Sequence, residues 1–431
     1  MKKAAGELCI LLKGMLLAGF SIQIILGLAW MCANFIEIQQ FDGPQGFLYP
    51  VFLRIFGRTP QILFLLQLCL AGFAGYMLLK PILPEKRLWG VWCVLAFMTM
   101  PMAVQCHLAL LPYSFVSSLF LLELSCCREA MKNGSKLGIR ALAGAGVCWV
   151  GLALLLSEYC WLGLLPPTVT LLVQLPRFCR NLKKVAYSVL LLAAFGGIVA
   201  GAVSLTKTED RYERTFWFSM ASRMTWPTIW QDSACWSPEL REILPEATVL
   251  QISYVPDNME RILQPALETA VGQAQAQEYY QEMAEFSWWI RKPRIARQMG
   301  WDLLIHAVPQ AVLQQQLEGV GYDSRSGMNY YVMGMKHPVL TKRYVSYYCW
   351  WFWTALGITL LFLAALKAGG RKLLTKDLVL RQTVYVVSGG GLLSYYVMRG
   401  SGIADYKCTL AVSALWVLPT IFCIRKDIEK A

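Results

Sequence analysis

The sequence predicts an all-α polytopic membrane protein, a bundle of about ten transmembrane helices with a mainly helical extracytoplasmic insertion. Three observations predict it. First, 56% of the 431 residues are hydrophobic and only 16% are charged, against roughly 25% charged in an average soluble domain. A water-soluble fold cannot enclose so much apolar surface, which excludes a cytosolic enzyme and equally a disordered or fibrous chain. Second, the apolar residues are gathered into long runs free of charge. Third, the basic residues crowd into the short segments that separate alternate runs.

A helix crossing ~30 Å of hydrocarbon needs about 20 apolar residues, because its backbone polar groups must pair internally. Residues 14–36 lie uncharged between Lys13 and Glu37, and residues 59–79 between Arg58 and Lys80. The run from Leu88 to Cys127 contains one carboxylate, Glu123. At ~1.5 Å per residue it is long enough for two crossings, with Pro101 and Pro112 bracketing the hairpin. Residues 141–176 are also of double length, broken by Glu158 and then Pro166-Pro167. Residues 185–206 and 346–366 read as single spans, and 382–398 and 408–424 as two shorter ones. Glu123 reads as a side chain snorkelling to the cytosolic surface, and Glu158 as a solvated carboxylate at an outer turn. The start Met1-Lys2-Lys3 followed by apolar residues has the outline of a secretory signal. Its uncharged run is longer than the usual ~7–15 residues, so it reads as a retained first helix.

Loop charge sets the orientation. With the N-terminus inside, the cytosolic segments are the N-terminus, 80–87, 128–140, 177–184, 367–381 and the tail after Cys423. They hold 22 Lys and Arg against six Asp and Glu, leaving 18 of the 40 basic and 21 of the 27 acidic residues elsewhere. Both termini are therefore expected in the cytoplasm of a multi-pass cell-membrane protein. The net charge of +13 does not suggest a nucleic-acid partner, because the cations sit in short loops beside spans and form no contiguous patch.

The expected organisation is an N-terminal membrane module, 1–206, with about seven spans and a first outer loop at 37–58. An extracytoplasmic, mainly helical domain follows at 207–345, and a C-terminal membrane module of about three spans at 346–431. Most of the 14 cysteines fall inside spans, and the insertion has only Cys235 in its interior, which argues against a disulfide framework. His107, His306 and His337 are too scattered for a metal cluster. The sequon at Asn133 falls on a cytosolic loop. The cytosolic loops are too short for a catalytic domain, so chemistry belongs at the outer face or within the membrane. No phosphate-cradling Gly-rich loop is present. The Gly389-Gly390-Gly391 triplet lies inside a span, where close helix packing is the expected role.

In the first outer loop, Glu37 and Asp42 follow the first helix and Gly43-Pro44 turns the chain. Phe47–Phe56 then reads as a helix lying in the membrane interface, with Arg54 toward lipid headgroups. The insertion shows helical spacing over Pro238–Leu244 and Asp257–Gln275. It is dense in aromatics, among them Phe216-Trp217-Phe218, Trp226, Trp230, Trp236, Tyr279-Tyr280, Trp288-Trp289 and Trp301. Such side chains suit a small core or an interfacial belt, and also sugar stacking.

The run Asp42-Gly-Pro-Gln-Gly-Phe-Leu-Tyr-Pro-Val-Phe-Leu-Arg-Ile-Phe-Gly57 resembles the first outer loop of the GT-C superfamily of integral-membrane, polyprenyl-phosphate-dependent glycosyltransferases. That superfamily includes protein O-mannosyltransferases and lipid A aminoarabinose transferases. Pro101, Leu110-Leu111-Pro112-Tyr113 and Ala404-Asp405-Tyr406-Lys407 extend the likeness. Gly43 stands near the family's His, Gln45 in place of its second Pro, and Asp405 in place of its late Arg. The resemblance implies inverting transfer of a sugar from a polyprenyl-phosphate donor to a glycan, lipid or protein acceptor of the cell envelope. It implies Asp42 as general base, with Glu37 as alternate or orienting partner. A cation must then stabilise the leaving lipid phosphate, and the candidates are Arg54, Arg58, Arg211, Arg214, Arg399 and Lys407. Tyr49, in the Tyr-Pro pair, is the further candidate for substrate binding. No cofactor is implied, although two nearby carboxylates permit a divalent metal. Membrane lipids complete the expected partners. The competing readings are a cell-surface polysaccharide polymerase or ligase, and a transporter of lipid-linked glycan. A transporter would place ionisable residues at mid-membrane depth.

Overall fold

The computed structural model describes residues 2–36, 47–79, 87–132, 136–156, 159–178, 182–204, 215–254, 258–307, 338–369 and 376–399, and among them all regular structure is helical. Two compact units are formed. One comprises residues 1–207, 309–391 and 409–431, the other residues 208–308 and 392–408.

The first unit contains α1 (Lys2–Ala33), α2 (Leu48–Phe56), α3 (Pro60–Leu79), α4 (Arg87–Met98), α5 (Pro101–Leu108) and α6 (Pro112–Lys132). It continues with α7 (Lys136–Leu155), α8 (Tyr159–Leu162), α9 (Leu165–Phe178), α10 (Leu182–Ser204), α17 (Pro338–Ala368) and most of α18 (Lys376–Arg399). Five of the described segments are long and apolar enough to cross a membrane: Lys3–Ala33, Pro60–Leu78, Gly138–Leu155, Ala186–Ser204 and Lys342–Ala365. The chain is a helical membrane protein. The last expected span, 408–424, lies outside the described residues.

The double-length run from Leu88 turns between the two prolines that bracket it, with a further short helix inside the bracket. The helix breaks at Thr99-Met100, and Pro101 restarts it as the first residue of α5, where its missing N–H costs nothing. The reversal itself is confined to Ala109–Leu111. In residues 141–176 the spanning-length α7 is followed by the short α8 and then α9, which has Pro166-Pro167 in its first turn.

α6 is the hub, packed against α3, α5, α7 and α9. Almost every side chain from Pro112 to Met131 is buried, and this explains its composition. Polar groups that lipid would reject are satisfied from within: Ser118 and Ser125 donate to the carbonyls of Ser114 and Leu121, both at 2.8 Å. Arg128 donates from Nη1 to the Leu78 carbonyl (2.8 Å) and from Nη2 to the Met77 carbonyl (3.1 Å). A cation thus sits on the orphan carbonyls that end α3, where the helix dipole favours it. Glu123 corrects the snorkelling expectation: it is 0% exposed, at the middle of α6, and neither carboxylate oxygen has a hydrogen-bond partner among the described residues.

α1 and α17 meet along a seam that requires Gly19. A Cβ there would overlap the ring of Trp351. The Tyr347 hydroxyl donates to the Gly19 carbonyl at 2.8 Å, and Trp351 sits edge-on to Phe20. Small residues permit such close backbone approach between apolar helices. Gly19→Ala is therefore expected to lower the stability of the detergent-solubilised protein by ~1–3 kcal/mol through overpacking. Gly14→Ala, where a Cβ meets nothing within 4 Å, is the matched control in the same thermal unfolding measurement. In the glycine triplet, Gly391 supplies the packing expected, since a Cβ would strike Leu165 at 2.5 Å, while Gly390 faces open space.

The second unit contains α11 (Phe216–Met224), α12 (Ile229–Asp232), α13 (Pro238–Ile243), α14 (Glu246–Tyr254), α15 (Gln264–Val271) and α16 (Gln273–Ala307). Thr215 caps α11, accepting from the Phe218 N–H at 3.3 Å. The helix expected over Asp257–Gln275 is interrupted twice. Met259–Leu263 forms a π-helical turn, next to Pro265, whose missing N–H cannot continue an α ladder. Gly272 then adopts φ +81° and ψ 159° and ends the helix, an extended positive-φ conformation open at little cost only to glycine. Phe218, Ile229, Trp236, Leu240, Ile252, Leu263, Tyr280 and Met283 lie in one apolar core, with Trp217, Trp226 and Tyr279 packed against it. Part of the aromatic set is thus structural, while Phe216, Trp230, Trp289 and Trp301 remain exposed.

The unit also buries Arg223, whose guanidinium is pushed down to about 10 by loss of solvent. Asp232, 1% exposed, is the centre of a polar network. Its Oδ2 accepts from Thr228 (2.6 Å) and Ser287 (3.1 Å), and its Oδ1 from Arg291 Nη2 (2.7 Å) and Nε (3.2 Å). Arg291 has non-helical φ/ψ at a kink in α16, two residues before Pro293. The forked ion pair therefore holds the bend that the proline imposes.

Candidate functional site

At one end of the first unit the chain leaves α1, and Glu37 and Asp42 fall in residues 37–46, outside the described residues. The chain is described again from Phe47, and α2 follows at once. Its sequence alternates aromatic and aliphatic residues at helical spacing, Pro50 falls in the first turn, and the Gly57 N–H closes the helix on the Leu53 carbonyl at 2.8 Å.

Tyr49 fixes this helix to the bundle. It is fully buried and its hydroxyl donates to the carbonyl of Leu110. Burial raises its phenol well above the usual value, so it stays a donor. This position anchors α2 and offers no face to a substrate. Beside it Phe52 packs on Phe115 of α6, with centroids 5.3 Å apart. Arg54, in the last turn of α2, and Arg58 just beyond it are exposed.

The partner of Tyr49 is unusual. Leu110 has φ +48°, the one non-glycine residue with positive φ among the described residues. It ends α5 in a Schellman motif: the Leu111 N–H reaches the Cys106 carbonyl (3.1 Å) and the Leu110 N–H the His107 carbonyl (3.3 Å). A leucine there costs roughly 1–2 kcal/mol of strain, which persists only where the surroundings over-determine it. Two elements do so: Tyr49 takes the carbonyl of Leu110, and Gln67 Nε2 of α3 takes that of Leu111 at 3.1 Å. Across the turn His107 Nδ1 and Ser114 Oγ are hydrogen-bonded at 2.7 Å.

A buried polar hub results, built from Gln67, Gln105, His107, Ser114, Ser117 and Ser118. Gln67 Oε1, Gln105 Nε2 and His107 Nε2 have no hydrogen-bond partner among the described residues. Buried polar atoms left unpaired mark places where water or a ligand group can be accepted. Trp30 of α1 and Tyr344 of α17 pack edge-on at 5.1 Å against Val104 and Leu108, so α1, α5 and α17 converge at the same hub.

Of the residues expected at the site, Tyr49 and Arg54 lie on α2 and Arg58 just beyond its end. Arg399 is the last residue of α18. Arg211, Arg214 and Lys407 lie outside the described residues. Sequence reasoning missed the hub, although one signal was present: Ser114, Ser118 and Ser125 repeat at helical intervals along α6, an arrangement that lipid-facing helices avoid. Among the described residues no three His, Cys, Asp or Glu side chains are grouped as metal ligands.

Tyr49→Phe is expected to leave the Leu110 carbonyl buried and unpaired, a loss of ~1–3 kcal/mol. It should be read as faster deuterium uptake across residues 47–58 in the detergent-solubilised protein.

No family model matches the chain, and no curated protein or solved structure is similar to it.

Proposed function

We propose that the chain is a membrane-embedded glycosyltransferase that moves a sugar from a polyprenyl-phosphate donor to an acceptor at the outer face of the membrane. The observation that carries this reading is the anchored α2. A short helix with one aromatic locked beneath it and exposed cations at its far end begins four residues after Pro44 of the Asp42-Gly43-Pro44 sequence, between two apolar helices long enough to span. That arrangement suits a lipid phosphate on one side and a carboxylate on the other. In this reading the bundle has ten spans with both termini in the cytoplasm, and the second unit is extracytoplasmic.

The reaction balances without a cofactor. Asp42 takes the proton from the acceptor hydroxyl as its oxygen attacks the anomeric carbon. The bond from that carbon to the phosphate oxygen breaks on the opposite face, and polyprenyl phosphate leaves with the electron pair, inverting the configuration. Arg54 and Arg58, with Arg211, Arg214, Arg399 and Lys407 as further candidates, hold the dianionic leaving group. The test is release of free polyprenyl phosphate from a sugar-loaded carrier by the purified chain in the presence of a hydroxyl acceptor. An intact carrier with every sugar offered overturns the reading.

A second reading is favoured by one observation. Glu123 lies buried at mid-helix, where an ionisable side chain is costly and usually functional, which fits a transporter of lipid-linked glycan. Glu123→Gln is then expected to abolish translocation of the carrier in proteoliposomes. If the chain is a transferase, the same substitution leaves carrier-phosphate release within about twofold of wild type.

A further inference from the structure

We propose that the second half of α16 is a membrane-docking surface, with anionic phospholipid as its partner. From Phe286 to Trp301 the sequence Phe-Ser-Trp-Trp-Ile-Arg-Lys-Pro-Arg-Ile-Ala-Arg-Gln-Met-Gly-Trp contains four cations and no carboxylate. Ile295 and Met299 turn one face of the helix into the core of the second unit. The other face is open. Arg294, Arg297 and Trp301, spaced by three and four residues, are all exposed, and Trp289 and Ile290 continue the exposed surface beyond the kink. Trp289 and Trp301 are 69% and 64% exposed, more than any other tryptophan described in this unit.

A solvated face does not explain this composition. Two indoles and an isoleucine left in water are unfavourable by their apolar area, and exposed apolar groups interleaved with cations are the signature of a helix lying in a headgroup layer. The cations divide their work. Arg291 is drawn back onto Asp232, fixing the bend. Lys292 lies with its Nζ 3.4 Å from the centroid of the Trp289 ring, a cation–π contact that stiffens the aromatic. Arg294 and Arg297 pair with no carboxylate among the described residues and remain for lipid phosphates. Chain connectivity keeps a bilayer within reach, because spanning-length apolar helices both precede the unit (Ala186–Ser204) and follow it (Lys342–Ala365). The proposal does not depend on the sugar-transfer reading.

The test is amide hydrogen exchange of the full-length chain in nanodiscs of phosphatidylcholine alone and of phosphatidylcholine mixed with phosphatidylglycerol. Exchange across residues 286–301 is expected to be slower in the anionic discs by about tenfold, given two free cations near a charged surface. The difference should vanish in ~1 M salt, where the screening length is ~3 Å. It should also vanish in the double variant Arg294→Glu, Arg297→Glu. Both residues lie outside the core, and unchanged protection over residues 259–284 certifies that the variant is folded. Should that protection be lost, the salt dependence of the wild-type chain decides alone. Equal exchange of the wild-type segment in the two lipids overturns the proposal.

Discussion

Asp42→Asn is expected to lower sugar transfer from a polyprenyl-phosphate donor by about 10²–10⁴-fold, the usual contribution of a general base. Membrane insertion and thermal stability should stay at the wild-type level. The amide keeps the size of the carboxylate but cannot accept the acceptor's proton, so the loss should fall on turnover while donor binding is retained. Glu158→Gln, at a turn where the carboxylate reads as solvated, is the control and should be nearly neutral. Glu37→Gln separates the two carboxylates of the loop: an orienting partner costs less than the base itself. Undiminished transfer by Asp42→Asn would remove the base assignment. A collapse with Glu37→Gln alone would move it five residues earlier in the chain.

The second large effect concerns stability. Asp232→Ala removes the acceptor of four hydrogen bonds, leaving Arg291 at the kink of α16 with Gln231 alone and Thr228 without this partner, while Ser287 keeps Thr225. Breaking a buried, hydrogen-bonded ion pair from one side typically costs 3–5 kcal/mol. Arg291 is partly solvated, at 24% side-chain exposure, so the expected loss is at the lower end, ~3 kcal/mol. Because the chain has two units, a single unfolding transition is not a safe measure. Amide exchange of the core peptides of the second unit reads the effect locally. Gln231→Ala, which removes only a contact to the exposed side of Arg291, should change exchange very little. Wild-type protection in Asp232→Ala would mean that Pro293 alone sets the bend.

The sequence was most informative where lipid is the constraint. Long charge-free runs have few alternatives to helices, and α1, α3, α10 and α17 lie where those runs lie. It was least informative where burial is supplied by protein. Glu123 looked like a residue near a helix end because hydropathy says nothing about neighbours; α3, α7 and α9 around α6 remove it from any surface. The turn at Leu110 was hidden for a related reason. Left-handed backbone is normally announced by glycine, and here a leucine is forced into it by Tyr49 and Gln67, which come from distant parts of the chain. In the second unit, the helical spacing over Asp257–Gln275 concealed both the break at Gly272 and the π-helical turn beside Pro265. The acidic loop was legible as a candidate site from its residue order alone. The anchoring of α2 through Tyr49 required the fold.

The enclosed character of α6 bears on how the protein is made. With a carboxylate at its middle, an arginine near its end and a row of serines, this segment is a poor substrate for release into lipid on its own, since a central charge opposes insertion by ~2.5–3.5 kcal/mol. In the ten-span reading it enters the bilayer together with α3, which precedes it, and α7, which is synthesised next. Biogenesis should therefore stall at this point whenever either companion is shortened, with a half-threaded chain as the product that quality control meets.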